Sequence, residues 1–241
     1  MCTHVKALRR HAALIAAALI AYVPIILSRP GRVGADTKTY LYLDPDRVLA
    51  NAANLWDSDV ALGTVTHQNI GYLWPMGPWY WFFETIRSPD WLAQRLWLGT
   101  LLFAAGAGVR YLLRTLDWEG RGIFVAMLAY QLSPYLLDYS ARISAVLLPW
   151  AGLPWLIALT IRSARSGGWR DPARFALVVL TVGSVNAPSL LLVGIAPVAW
   201  LFHARFVERS LPTRKAVRAA LRIGLLSLGV SIWWIAGLIL Q

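Results

Sequence analysis

The chain has 241 residues, 58% of them hydrophobic and only 15% charged, with a mean hydropathy of +0.53. Soluble domains carry about 45–50% apolar and about 25% charged residues, so this composition excludes an ordinary water-soluble globule. The net charge of +11 does not point to nucleic acid, because the basic residues fall between apolar runs and no nucleic-acid motif is present.

Cytoplasmic loops and anionic lipid headgroups are the better account of that charge. The single Cys2 excludes an intramolecular disulfide and a cysteine-rich metal site. Thirteen tryptophans suit a membrane interface.

The first apolar run, Ala12 to Leu27, has 16 residues. A signal-peptide core usually has about 7–15, and more spans follow, so residues 11–28 read as an uncleaved first membrane helix. Beyond it lies a polar, acidic and aromatic segment over residues 29–94. Asp36 follows a turn punctuated by Pro30, Gly31 and Gly34, near the bilayer surface. Partial desolvation there suits a general base, although Lys38 beside it favours the plain carboxylate. A solvated loop aspartate is the alternative.

Asp44-Pro45 is a helix start, with Asp as the cap and Pro at the first helical position. Val48, Leu49, Ala52, Leu55 and Trp56 then form one apolar face, which predicts a helix lying in the membrane plane. Asn51 and Asn54 fall on its other side. Their amides both donate and accept, which suits sugar hydroxyls; a plain anchoring helix fits equally. His67, Gln68 and Asn69 make a polar cluster. No second His or Cys accompanies His67, so a structural zinc site is rejected. Tyr72 to Phe83 reads as an aromatic hairpin, since Pro75, Gly77 and Pro78 should break a regular helix. Tyr72 and Trp74 are expected to line a groove for a sugar ring or an isoprenoid chain, with an aromatic belt as the alternative.

A spanning helix needs about 20 mostly apolar residues. Leu96–Leu116, Gly122–Leu137, Ile143–Ile161, Phe175–Phe202 and Leu221–Leu240 are candidates. The fourth of these is too long for one span. Ser184, Asn186 and Pro188 interrupt it, so two short buried helices are expected. Asn186 should form a hydrogen bond between helices. Arg142, in a short outer turn with Asp138, either pairs with that acid or clamps a phosphate. Arg95 is a weaker case of the same kind.

With the N-terminus inside, 16 of 23 Lys and Arg residues fall on the inner side and 8 of 12 acids on the outer. The basic bias sets orientation. Acids contribute little to orientation, so their outward bias is consistent with an outer site. The expected fold class is all-α: a polytopic helical bundle of about seven crossings, with the outer loop at 29–94 and the remaining helices at 95–241. No Gly-rich nucleotide loop is present. Asp44-Pro45-Asp46 has the spacing of a metal-holding Asp-x-Asp, but the helix cap explains it better. A sugar donor would then be lipid-linked rather than nucleotide-linked. The last apolar run ends at the chain terminus, so a piece of a larger protein is expected.

Four stretches carry a resemblance to a known family. They are PGRVGADTKTYLYLDPDRVLANAANLWD, HQNIGYLWPMGPWYWFF, ISAVLLPWAGLPWLIAL and GGWRDPARFALVVLTVGSVNAPSLLLVG. From about residue 11 onward the chain resembles the N-terminal GT-C membrane region of the actinobacterial alpha-(1→3)-arabinofuranosyltransferase (AftD) family. The resemblance implies transfer of arabinofuranose from decaprenyl-phospho-arabinose to arabinan of arabinogalactan and lipoarabinomannan, on the outer face of the plasma membrane. It implies that Asp36, in Ala35-Asp36-Thr37-Lys38, is the general base. A cation should stabilise the leaving phosphate, and Arg142 is expected in that role. No cofactor beyond the lipid-linked donor is implied, and a divalent cation is left open. Family members are far longer than this chain, so a downstream part of the same enzyme is an expected partner. A lipid-handling protein and a non-catalytic structural subunit are the alternatives.

Overall fold

The structure is a computed structural model. It describes residues 2–36, 39–54, 56–58, 62–65, 69–140 and 142–239, with side chains from residue 11 onward. The chain begins with helix α1 (Cys2–Leu27). A turn follows in which Gly31 has φ +81°, a left-handed conformation that favours glycine. The segment that follows then folds into short pieces. These are α2 (Thr39–Leu43), α3 (Pro45–Ala52), an antiparallel pair β1 (Trp56–Asp57) and β2 (Thr64–Val65), a 3₁₀ turn at Asn69–Leu73, and α4 (Met76–Thr85).

Asp44 caps α3 as its sequence predicts: its Oδ1 accepts from the Arg47 backbone N–H at 3.1 Å, with Pro45 in the first turn. The helix is shorter than the apolar pattern suggested. It ends at Ala52, and Trp56 lies in β1 with its side chain exposed. The expected aromatic hairpin is instead the 3₁₀ turn leading into α4. Gly77 and Pro78 lie in the first turn of α4, where backbone N–H groups have no helical partner, so proline costs nothing there. Gly77 also permits close packing: a Cβ there would lie 2.4 Å from Leu49 Cδ2 on α3.

The remaining helices follow: α5 (Asp90–Thr115), α6 (Gly122–Gln131), α7 (Pro134–Ser140), α8 (Ser144–Ser166), α9 (Arg170–Gly183), α10 (Ala187–Phe202) and α11 (Thr213–Ile239). A π-helical turn at His203–Val207 continues α10. Among the described residues, four helices are long and apolar enough to cross a membrane: α5, α8, α10 with its π turn, and α11. Seven crossings would require α1, α6 with α7, and α9 to cross as well. Their apolar stretches are shorter, and Leu132-Ser133 ahead of Pro134 interrupts the α6–α7 stretch.

Helix α8 is the centre of the bundle. It packs on α5, α9 and α10, and 72% of its most apolar stretch is buried, against 17% for α10 and for α11. The expected break near Pro188 is present: Asn186 Oδ1 accepts from the Ser189 N–H at 2.9 Å and caps α10. Two expectations are corrected here. Asn186 is a cap rather than a bridge between helices. Helix α10 is not buried, since Leu191, Leu192, Ile195 and Val198 are all exposed. An all-round apolar helix reads the same whether it faces protein or lipid.

Two prolines sit inside α8, at 149 and 154. Pro154 has no N–H, which leaves the Trp150 carbonyl without its helical donor. Tyr130 on α6 supplies one: its OH donates to that oxygen at 2.8 Å, with its ring stacked on Trp150.

Candidate active site

The site forms where the segment after α1 crosses the N-terminal ends of α5 and α8. Two consecutive residues of α5 hold that segment. The Gln94 amide pairs with the Gly34 peptide, accepting from its N–H at 2.7 Å and donating to its carbonyl at 3.2 Å. Arg95 Nη2 donates to the Arg32 carbonyl at 3.2 Å. The next polar residue along, Asp36, is thereby directed inward and is only 7% exposed.

The Asp36 carboxylate is fixed by two donors at Oδ2: the Tyr42 hydroxyl at 2.6 Å and the Ser144 backbone N–H at 3.1 Å. Ser144 opens α8, and Ile143 at its N-cap position provides no side-chain cap. Asp36 therefore meets the positive end of α8 and satisfies one of its unpaired N–H groups from 108 residues away. Burial, and then the Asp36 charge, push the Tyr42 phenol well above its ordinary range. Tyr42 thus stays protonated and donates. Tyr80 packs on it with ring centroids 4.5 Å apart.

Asp36 opens into a cavity of about 370 Å³. Small-molecule sites span roughly 300–1,000 Å³, so there is room for a sugar phosphate but not for a polysaccharide. Arg29, Arg32 and Arg95 line it with Asp36, Gln94 and Ser140. Among the described residues, none of these three arginines has a carboxylate partner, and Arg95 Nε is buried without a hydrogen bond. Three guanidinium groups beside one carboxylate provide a proton acceptor and an anion site in one chamber.

A second cavity, of about 760 Å³ and almost wholly apolar, runs between α4, α5, α8 and α9. Trp74, Trp79, Phe83, Trp97, Leu148 and Trp155 are among its walls. Helix α5 is shared between the two: Gln94, Arg95 and Leu98 face the polar cavity, and Trp97, Leu101 and Ala104 face the apolar groove.

The residues singled out from sequence divide accordingly. Asp36 lines the polar cavity and Trp74 the apolar groove. Tyr72 lines neither; it is buried, and its OH pairs with that of Tyr40 at 2.9 Å. Arg142 does not line the polar cavity. It is largely exposed and pairs with Asp138 at 3.5 Å. Asn51, Asn54 and Asn69 line neither cavity. Lys38, His67 and Gln68 lie outside the described residues. Sequence reasoning missed Tyr42, Ser144, Gln94, Arg29 and Arg32. The one usable signal was that Arg29 and Arg32 lie just ahead of Asp36 on the same loop. Among the described residues, no three His, Cys, Asp or Glu side chains converge on a metal position.

Residues 20–241 match the family described as alpha-(1→3)-arabinofuranosyltransferase, N-terminal GT-C domain. The chain belongs to this family. It is 35% identical over 176 residues to the alpha-(1→3)-arabinofuranosyltransferase of Mycobacterium tuberculosis, covering 71% of this chain and 13% of that protein. The enzyme of the same name from Mycolicibacterium smegmatis is 35% identical over 178 residues, covering 71% and 12%. In three dimensions the chain is similar to a cryo-EM structure of a mutant mycobacterial arabinofuranosyltransferase AftD, with TM-score 0.86, 31% identity, and coverage of 95% of this chain and 18% of that one. A second AftD structure gives TM-score 0.84 at 30% identity, covering 95% and 17%. The chain thus corresponds to a small N-terminal part of the arabinofuranosyltransferases it matches. Its apolar helices and this kinship make it a membrane protein.

Proposed function

We propose that this chain provides the base-bearing part of an arabinofuranosyltransferase that uses a polyprenyl-phosphate-linked arabinofuranose donor. The observation that carries the reading is the Asp36 carboxylate buried in one cavity with three arginines, in a chain of this family. An acceptor hydroxyl gives its proton to Asp36 as its oxygen attacks the anomeric carbon. The bond from that carbon to the phosphate oxygen breaks, and the electron pair leaves with the phosphate. Arg95, Arg32 and Arg29 face the charge that develops there, the role first expected of Arg142. The apolar groove along α5 suits the isoprenoid chain of decaprenyl-phospho-arabinose, with Trp74 near its outer end. The acceptor would be arabinan of arabinogalactan or lipoarabinomannan, lying largely outside the small cavity. The basic bias of the loops supports a plasma-membrane topology with the N-terminus cytoplasmic and the site on the outer face.

The test is transfer of arabinofuranose from decaprenyl-phospho-arabinose to a short arabinan acceptor. It is run with this chain alone and with the chain continued into the downstream region its relatives possess. Transfer by the continued form, with little or none by the chain alone, is the expected result. Absence of transfer by both, when both insert correctly, would favour a lipid-handling or structural role.

A further inference from the structure

The charge in the polar cavity does not match the donor. Its described lining has three guanidinium groups, at Arg29, Arg32 and Arg95, and one carboxylate, at Asp36, an excess of two positive charges. A polyprenyl-phosphate-linked sugar is a phosphodiester with one negative charge. The phosphate released on transfer is a monoester, whose second ionisation lies near pH 6, so at pH 8 it holds two. Arg95 has a buried Nε with no hydrogen-bond partner, a donor that a further phosphate oxygen would satisfy.

We infer that the cavity retains the product: the isoprenyl monophosphate is held more tightly than the diester donor, and its release is coupled to loss of the proton from Asp36. This rests on the transferase reading above. When the acceptor hydroxyl gives its proton to Asp36, the carboxylate becomes neutral at the same moment as the phosphate gains its second charge. Three positive charges of the described lining then face a dianion, with no carboxylate among the described lining residues beside it. Departure of the proton restores a carboxylate in the same chamber, and repulsion between like charges weakens the hold on the phosphate. Tyr42 and the Ser144 N–H both donate to Asp36 Oδ2, so either form of the group stays in place through the cycle.

The experiment is a binding measurement on this chain in neutral-lipid nanodiscs at pH 8, with farnesyl monophosphate and methyl farnesyl phosphate as probes. The monoester is expected to bind about tenfold more tightly than the diester. Asp36→Asn keeps the shape and removes the charge, mimicking the protonated state. It is expected to tighten the monoester by about fivefold to tenfold. Arg95→Gln should abolish the preference for the monoester. A role of Asp36 confined to folding would not raise affinity, and size-exclusion behaviour of both variants checks that they fold. Equal or tighter binding of the diester, or weaker binding to a folded Asp36→Asn, would overturn the proposal. No sugar or acceptor enters this measurement, so its failure is separable from failure of transfer activity.

Discussion

Asp36 has two jobs that a single substitution can separate. It caps the start of α8 through the Ser144 N–H and is also the only acid lining the arginine-rich cavity among the described residues. An asparagine keeps an acceptor oxygen for Ser144 and Tyr42 but cannot take a proton from an acceptor hydroxyl. Arg142 and Arg95 separate in the same way. Sequence position makes the two arginines comparable, yet Arg142 is paired with Asp138 at the surface while Arg95 lines the cavity. In the active enzyme Arg95→Gln should lower turnover by about 10²-fold, the scale for removing one donor to a developing anion. Arg142→Ala should stay within about threefold of the parent, because a pair this exposed contributes about 0–1 kcal/mol. Steady-state transfer rates decide it; the reverse order would return the phosphate role to Arg142.

At the scale of elements, legibility followed the range of the interaction. Asp44-Pro45 marks a helix start by local chemistry where its residues predict, and the break expected near Pro188 is present, with Asn186 capping α10 instead of bridging helices. In the aromatic run from Tyr72, Gly77 and Pro78 read as helix breakers, yet both lie in the first turn of α4, which tolerates them. Tyr42, Gln94 and Ser144 left no local mark, since their partners lie 6, 60 and 108 residues away and only the folded chain brings them together. The Tyr130 bond to the Trp150 carbonyl belongs to the same class. Without it, the gap left by Pro154 would remain open inside the bundle, where little water can fill it. Tyr130→Phe should therefore destabilise the protein by about 1–3 kcal/mol while keeping the ring stack. Thermal unfolding in detergent would show this, and an unchanged midpoint would mean another donor fills that position.

Across the whole molecule, the long contacts converge on one place. Helix α5 holds the segment after α1 through Gln94 and Arg95, α8 presents its N-terminus to Asp36, and α4 packs Tyr80 behind Tyr42. In contrast, α10 and α11 leave broad apolar faces exposed, which suits contact with lipid or with other helices. The matched part of the chain spans about an eighth of the length of its curated relatives. The measurement that reaches the centre of this account is the transfer rate of Asp36→Asn, made in the continued, active form and compared with its parent at equal membrane insertion. Loss of about 10²–10⁴-fold in turnover is predicted, the range for removing a general base. Transfer at the parental rate would contradict the assignment of Asp36 and leave it only as the cap of α8.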